Sequence, residues 1–200
     1  MWRYIRRTRI KKKSEASPLF KGPRVLDLHA ARRVLVFAPH PDDETLGCGG
    51  TLRRLSETAD IRVILVTDGS GAGELPIGTA ETRRLEFLAA LKILGVNSFA
   101  CWDIPDGQLR NDALLRQRIE SELSSFNPNW VFLPSPMDYH RDHRNLSMAG
   151  EWIASKIASI ERRIFYETWA PCPANHVVDI GSTAAYKWEA LAQHRTALAC

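Results

Sequence analysis

The chain has 200 residues, of which 44% are hydrophobic and 25% are charged, and these proportions are typical of globular proteins. This length suits one sizeable core and disfavours two full domains. The net charge of +4 is unevenly distributed, because residues 1–24 carry nine basic side chains and one acid, whereas the other 176 residues carry 18 basic and 22 acidic side chains. The body is therefore mildly acidic, which argues against a nucleic-acid-binding core, and we expect no nucleic-acid partner.

Residues 1–24 form a basic leader that begins MWRYIRRTRIKKK and lacks the apolar segment and cleavage site of a secretory signal. We expect a poorly ordered, solvated tail ahead of a folded domain at residues 25–200, in a cytoplasmic protein. The alternative is weak, peripheral contact of residues 1–13 with an anionic membrane surface, where each basic residue can contribute about 1 kcal/mol. The cysteines form no C-x-x-C pair and are expected to be reduced thiols: Cys48, Cys101, Cys172 and Cys200.

The rest of the chain alternates short, continuously apolar segments with patterns of helical spacing. The segments typical of buried strands are Arg33–Phe37, Ile61–Val66, Asn97–Trp102, Trp130–Leu133, Arg163–Glu167 and His176–Ile180. Helices are predicted at Glu44–Thr58, at Thr79–Leu94 with Thr79 as the N-cap, at Asn111–Phe126, around Leu146–Ile157 and at Thr183–Leu198. This alternation predicts an α/β fold with βαβ units and a mostly parallel sheet. In such sheets, ligands bind beyond the carboxyl ends of the strands.

A cluster of ionisable side chains follows the first predicted strand. The segment Ala38–Glu44 reads APHPDDE, which places one histidine and three consecutive carboxylates at the expected ligand-binding edge. A helix cap accounts for one acid, but it does not account for a histidine and three acids in five positions. Each glycine in the next helix lowers the stability of the helix by up to about 1 kcal/mol. A close approach of the helix backbone to the sheet or to a ligand would explain why glycine is present there. The glycines are Gly47, Gly49 and Gly50.

A second cluster follows the fourth predicted strand. The segment Leu133–His143 reads LPSPMDYHRDH and holds two histidines and two aspartates just before a helix. Taken alone, these residues would be interpreted as the cap of the following helix and as part of a solvent-exposed surface. Two such clusters at carboxyl ends of strands in one parallel sheet favour a shared metal site instead.

The chemistry of zinc restricts which residues can hold the ion. A catalytic zinc takes three protein ligands from histidine or carboxylate and keeps one position for water. His40 and Asp43 are three residues apart and can converge from one turn, and His143 can complete the set from the second cluster. Zinc is therefore the predicted cofactor, although a set of two histidines and one aspartate also accepts other divalent ions.

Hydrolysis at such a site also needs groups that accept and donate protons. Asp42 stands beside Asp43 in the chain and is a candidate general base. His140, three residues before His143, can stabilise an oxyanion or protonate a leaving amine. Asp142 can orient one of these imidazoles.

PHPDDE after the first strand, with H-R-D-H in a later loop, resembles the PIG-L/LmbE-like zinc N-deacetylases. The resemblance extends from about Arg33 to about His194 and implies a Rossmann-like three-layer sandwich with a mostly parallel sheet. It also implies hydrolysis of N-acetyl groups on compounds that contain glucosamine. Many members carry Ser-Gln soon after a histidine in the last helix, whereas His194 is followed here by Arg-Thr-Ala. By position, the resemblance implies that the zinc ligands are His40, Asp43 and His143 and that the general base is Asp42. It also implies that His140 stabilises the tetrahedral intermediate and that its neighbour Asp142 orients the charge of His140.

Three further residues are predicted to bind substrate. The family places an arginine three residues before a glutamate in the second helix, and Arg83 and Glu86 fit this pattern. Helical projection does not separate Arg83 from Arg84, and a surface arginine is the alternative for either. Asp106 matches a family aspartate that touches sugar hydroxyls, or it belongs to a Pro-Asp-Gly turn. Glu44, the last acid of the first motif, completes the predicted set.

The expected function is removal of an N-acetyl group from an amino-sugar substrate, either a small molecule or a glycolipid. The glycine-rich segment Asp68–Glu74 resembles the loop of nucleotide- or S-adenosylmethionine-binding transferases, which gives a competing hypothesis. It follows the second strand rather than the first, and Pro76 and Gly78 delay the next helix, so a flexible lid is the preferred interpretation. The motifs are also compatible with a non-catalytic sugar-binding relative and with a metal-dependent hydrolase of phosphoesters.

Overall fold

The computed structural model describes residues 22–71 and 78–199, and these contain seven strands and six helices. The strands are β1 (Arg24–Val25), β2 (Arg33–Ala38), β3 (Asp60–Thr67), β4 (Ser98–Ile104), β5 (Trp130–Pro134), β6 (Arg162–Tyr166) and β7 (His176–Val177). The helices are α1 (Asp43–Leu55), α2 (Thr79–Leu94), α3 (Ala113–Phe126), α4 (Arg141–Ala154), α5 (Ala184–Leu191) and α6 (Arg195–Leu198). No helix in the described part of the chain is long and apolar enough to cross a membrane.

The smaller of two units is a parallel pair of two-residue strands. In it β1 pairs with β7, so that Arg24 lies opposite His176 and Val25 opposite Val177. The sequence did not predict β1, because two residues give no periodicity. The expectation that residues 1–21 form a poorly ordered tail concerns a segment outside the described residues.

The larger unit contains a five-stranded sheet in the order β4-β3-β2-β5-β6, with every pair parallel. The strand β2 occupies the centre of the sheet. The chain first adds β3 and β4 on one side of β2, and it then returns to add β5 and β6 on the other side. The direction of sheet growth therefore changes at the neighbouring strands β2 and β5. Ligands bind at this kind of topological switch point in open α/β sheets, beyond the carboxyl ends of the two strands.

Helices cover both faces of the sheet, which confirms the predicted three-layer α/β class. On one face, buried side chains of α3 and α4 pack against alternate residues of the central strands, such as Leu35 and Phe37. On the other face, α1 packs against β2 and β3, and α2 and α5 pack beside it. Because successive side chains of a strand point to opposite faces, a strand covered on both sides is continuously apolar. The sequence of β2, RVLVFA, shows this pattern.

Two predicted helix boundaries are wrong. The helix predicted at Thr183–Leu198 is interrupted, because His194 has a non-helical backbone (φ −77°, ψ 58°). The N-cap of α2 is Gly78 rather than Thr79, and its φ of 89° is a left-handed value that favours glycine.

The helix α1 lies very close to its neighbours at two glycines. A Cβ atom added at Gly47 would lie 2.2 Å from Tyr166 Cδ2, and one added at Gly50 would lie 2.7 Å from Ile180 Cδ1. The Tyr166 ring is fixed by a 2.6 Å hydrogen bond that its hydroxyl donates to the carbonyl of Phe37. The predicted close approach of the backbone is thus confirmed at these two positions. At Gly49 the nearest atoms are 3.5 Å away, which is ordinary contact.

Alanine at Gly47 is therefore expected to destabilise the fold by about 1–3 kcal/mol, the usual cost of overpacking a rigid site. Alanine at Gly49 is the matched control in the same helix, and it should be neutral or should stabilise the protein by up to about 1 kcal/mol. Urea denaturation of both variants measures the difference. Equal midpoints for the two would contradict the close packing between α1 and Tyr166.

Candidate active site

Three donor atoms meet at the switch point between β2 and β5. Asp43 Oδ2 lies 3.2 Å from His40 Nδ1 and 3.0 Å from His143 Nε2, and the two imidazole nitrogens are 3.1 Å apart. His40 comes from the loop after β2, Asp43 begins α1, and His143 belongs to the first turn of α4. The structure thus brings the three predicted metal ligands together from two segments that are far apart in the chain.

The donor set suits a divalent cation. Four ligands placed tetrahedrally at about 2.0–2.1 Å from zinc are about 3.3 Å from one another, close to the three distances observed. Among the described residues, Asp43 Oδ1 is buried without a hydrogen-bond partner. Two imidazole nitrogens 3.1 Å apart that share one carboxylate oxygen form a cluster that a cation between them would stabilise. The arrangement fits a metal ion.

Other groups of donors lie nearby. The imidazoles of His40, His140 and His143 each offer an atom within 4.8 Å of the others, and so do His40, Asp106 and Asp142. The triangle that includes Asp43 joins the two motifs with sides of 3.0–3.2 Å, close to the spacing of zinc ligands. We therefore take it as the candidate metal site.

The outer nitrogen of His40 faces two carboxylates. His40 Nε2 lies 3.0 Å from Asp106 Oδ1 and 3.4 Å from Asp142 Oδ2. Backbone amides fix these carboxylates, since Gly71 N–H donates to Asp106 and Gly107 N–H donates to Asp142. Burial lowers the pKa of His40, but the hydrogen bonds with Asp106, Asp142 and Asp43 raise it overall, so the surrounding carboxylates favour positive charge at this position.

The structure gives two of the predicted site residues partners that the sequence did not indicate. The Asp142 carboxylate reaches His40, whereas its backbone N–H donates to His140 Nδ1 at 3.2 Å. The Asp106 carboxylate is engaged with His40 and Gly71, so its contact with sugar hydroxyls stays a prediction. Neither partner was visible in the sequence, because both bonds join loops that are far apart in the chain.

Asp42 lies beside the metal triangle and is bound by an arginine of α2. Arg83 Nη2 is 3.4 Å from Asp42 Oδ2 and donates to the carbonyl of Pro41, and Arg83 Nη1 donates to the carbonyl of Gly69. Arg83 is only 5% exposed, so the surface-arginine interpretation is wrong for it, whereas Arg84 is only partly buried. The contact of Arg83 with substrate remains a prediction, because its guanidinium group binds two backbone carbonyls and the Asp42 carboxylate in this structure.

The environment of Asp42 favours a carboxylate that both loses and regains a proton near neutral pH. Burial and the charge of Asp43 raise the pKa of Asp42, Arg83 opposes them, and the result is about 7. The backbone of Asp42 has a φ of 130°, a left-handed value that is costly for a residue with a side chain. Strain of this kind at a non-glycine residue is found most often at functional sites.

The His140 ring packs against both histidines of the triangle. Its ring centroid is 4.5 Å from that of His40 and 5.2 Å from that of His143. Burial and the neighbouring histidines lower the pKa of His140, which favours the neutral ring. Because Nδ1 accepts the N–H of Asp142, the proton of the neutral ring is placed on Nε2. His140 is therefore arranged as a neutral hydrogen-bond donor.

Glu44 is fully buried rather than exposed toward a ligand. Its carboxylate accepts the hydroxyl of Thr45 at 2.6 Å and lies 3.8 Å from His194 Nε2. Burial raises the pKa of Glu44 to about 8 and lowers that of His194 to about 4, so both groups favour their neutral forms near pH 7. A direct substrate contact by Glu44 stays a prediction, and in this structure the side chain packs inside. Cys48 is also buried and donates its thiol hydrogen to the Glu44 carbonyl.

The described start of the glycine-rich segment, residues 68–71, follows β3 and contacts the loop after β4. Asp68 Oδ1 accepts the backbone N–H groups of Ser70 and Asp106, which ties the start of the segment to the loop after β4. The interpretation of this segment as a flexible lid depends mainly on residues 72–77, which lie outside the described residues.

Both His/Asp clusters lie in the part of the chain that matches a known protein family. A family model described as PIG-L, GlcNAc-PI de-N-acetylase, matches residues 35–154. The chain belongs to the PIG-L family. This confirms the resemblance that the PHPDDE and HRDH motifs indicated.

Several proteins similar to this chain are named deacetylases. Diacetylchitobiose deacetylase of Thermococcus kodakarensis is 30% identical over 189 residues, 82% of this chain and 70% of that protein. A probable N-acetyl-alpha-D-glucosaminyl L-malate deacetylase 2 of Bacillus anthracis is 30% identical over 165 residues, 75% of this chain and 70% of that protein. The crystal structure of N,N'-diacetylchitobiose deacetylase from Pyrococcus horikoshii superposes with a TM-score of 0.73 at 26% identity, covering 85% of this chain and 73% of that one. The predicted class of enzyme agrees with these names.

Proposed function

We propose that this chain is a metal-dependent hydrolase that removes an N-acetyl group from a substrate containing N-acetylglucosamine. The observation that carries the proposal is the buried triangle of His40 Nδ1, Asp43 Oδ2 and His143 Nε2, with sides of 3.0–3.2 Å. Membership of the PIG-L family and the names of the relatives support the type of reaction and the amino-sugar substrate. Zinc is the first candidate for the ion, because two imidazoles and one carboxylate are typical of catalytic zinc.

His40, Asp43 and His143 would hold the ion. When bound, a zinc ion lowers the pKa of a water to about 7 and polarises an acyl carbonyl. The outer nitrogens of both histidine ligands face buried carboxylates, Asp106 for His40 and Asp138 for His143, which hold the ring orientations that a metal site requires.

Asp42 is placed to accept the proton of the attacking water. Its carboxylate is held against the triangle by Arg83, and its pKa of about 7 suits a group that takes up a proton and later gives it away. In the reaction, a C–O bond forms from water to the acyl carbon and the amide C–N bond breaks. The proton taken by Asp42 passes to the leaving nitrogen, so that acetate and a free amine result.

His140 is placed to donate a hydrogen bond to the acyl oxygen. Its Nδ1 is engaged with the Asp142 backbone, and the neutral ring therefore presents Nε2–H. A fixed neutral donor of this kind stabilises negative charge that develops on the oxygen, an effect usually worth about 10²–10³ in rate.

The function is tested by mass spectrometry of N,N'-diacetylchitobiose and other N-acetylglucosamine conjugates after incubation with the zinc-loaded protein. We expect loss of an acetyl group, with release of acetate in equal amount. Prior treatment with a chelator should abolish the reaction, and added zinc should restore it, because the three ligands contribute little catalysis without the ion. Turnover that survives complete removal of metal, or phosphate release from phosphoesters without any deacetylation, would contradict the proposal.

A further inference from the structure

Asp138 is a buried carboxylate of the second cluster to which the proposed reaction assigns no step of its own. It is 1% exposed and lies in the loop between β5 and α4. Its Oδ2 atom is 3.2 Å from His143 Nδ1, on the opposite side of the ring from the metal triangle. His143 is itself fully buried, so its ring orientation is determined by these contacts and by packing.

The Asp138 carboxylate is fixed by three further donors. Oδ1 accepts the N–H of His140 at 2.9 Å, and Oδ2 accepts the N–H of Trp169 at 3.2 Å and the hydroxyl of Thr168 at 2.8 Å. The direction of the carboxylate is thus determined by the groups that surround it.

Thr168 contributes a second contact to the same imidazole. Its Oγ1 is 3.1 Å from His143 Nδ1 while it donates its own proton to Asp138. With the hydroxyl proton used in this way, Nδ1–H of His143 has two acceptors, Asp138 Oδ2 and Thr168 Oγ1. A proton on Nδ1 leaves the lone pair of Nε2 directed toward Asp43 and His40, as a metal ligand requires.

We propose that Asp138, assisted by Thr168, is a positioning residue that holds His143 in the ring orientation and tautomer needed to bind the metal. The inference depends on the proposed metal site and extends it to a residue outside the ligand set. Asp138 also joins the loop after β5, the start of α4 and the segment after β6 through its bonds to His140 and Trp169. It therefore couples the strength of metal binding to the packing of three segments.

The test is the zinc affinity of Asp138→Asn in the full chain, measured by competition with a chromophoric chelator. Asparagine keeps the shape of the side chain but removes its charge, and it offers one acceptor oxygen where the two carboxylate oxygens accept from His140, Trp169, Thr168 and His143. We expect affinity to fall by about 10–100-fold, the usual effect of losing an outer partner of a ligating histidine. The visible spectrum of the cobalt-substituted variant should also change relative to wild type, because the His143 nitrogen moves relative to the ion.

The matched control is Asp112→Asn, which makes the same change at the N-cap of α3, where the side chain accepts the N–H of Leu115. Its zinc affinity and cobalt spectrum should equal those of wild type. Wild-type affinity in a folded Asp138→Asn protein would overturn the inference. If Asp138→Asn does not fold, the zinc affinity of Thr168→Val is the test. We expect this variant to bind zinc more weakly than wild type, and an unchanged affinity would overturn the inference.

The two proposals fail in different ways. If the wild-type chain binds no zinc or other divalent ion, the proposed function is wrong. If wild type binds zinc and Asp138→Asn binds it equally well, the proposed function stands and only the positioning role is lost.

Discussion

Asp42→Ala is expected to lower kcat by about 10²–10⁴ while the protein keeps its metal, because the variant loses a general base and no ligand. The Asp42 carboxylate lies beside the triangle, and Arg83 holds it 3.4 Å from its guanidinium. Metal content by elemental analysis and kcat on the same preparation measure the two effects together. Turnover at the wild-type rate would show that another group accepts the proton.

A second replacement at the same position controls for changes in folding. Asp42 has a φ of 130°. Glycine adopts this backbone conformation without strain, whereas other residues are strained there by about 1–3 kcal/mol. Asp42→Gly should therefore be as inactive as Asp42→Ala but more stable, by roughly 1 kcal/mol after allowing for the greater freedom of glycine in the unfolded chain. Since both variants lack the carboxylate, equal loss of turnover at different stabilities separates catalysis from folding. If the glycine variant were the less stable, the strain at this position would be refuted.

The sheet was predictable from the sequence because burial on both faces leaves a direct pattern. The run RVLVFA at β2 and the run WVFLP at β5 are continuously apolar, and both lie at the centre of the sheet. The convergence of the two motifs followed from the same fact, since parallel strands end at one edge. In contrast, β1 and the break at His194 depend on pairing and contacts far along the chain, which local periodicity does not record.

The partners of the site residues were much less predictable than their identities. The sequence indicated Arg83, Asp106 and Asp142 by spacing and resemblance, but it contained no sign that Arg83 binds Asp42 or that both aspartates face His40. Such bonds depend on where loops meet after folding. Asp138 illustrates the same point, because in the sequence it was one of two aspartates in a loop, and only the structure shows which imidazole it contacts.

Asp43→Asn is expected to weaken metal binding, whereas His140→Ala is expected to leave it unchanged. Asparagine at position 43 keeps the shape of the side chain but replaces the ligating oxygen with a poor zinc ligand, so zinc affinity should fall by well over the roughly 10–100-fold that an outer partner costs. His140→Ala should bind zinc as wild type does, and its turnover should fall by about 10²–10³ through loss of the oxyanion donor. Zinc titration and steady-state kinetics on both variants, with circular dichroism to verify folding, give the comparison.

The pair of variants decides between two ligand sets that the geometry brings close together. His40, His140 and His143 offer atoms within 4.8 Å of one another, whereas the set containing Asp43 has sides of 3.0–3.2 Å. If His140→Ala emptied the site and Asp43→Asn did not, the ion would be held by three imidazoles. His140 would then have no proton to give to the acyl oxygen, because a ligating Nε2 carries none and Nδ1 faces the N–H of Asp142. The stabilisation of the oxyanion would have to come from another group, so the metal titration tests the assignment of His140 as well as that of Asp43.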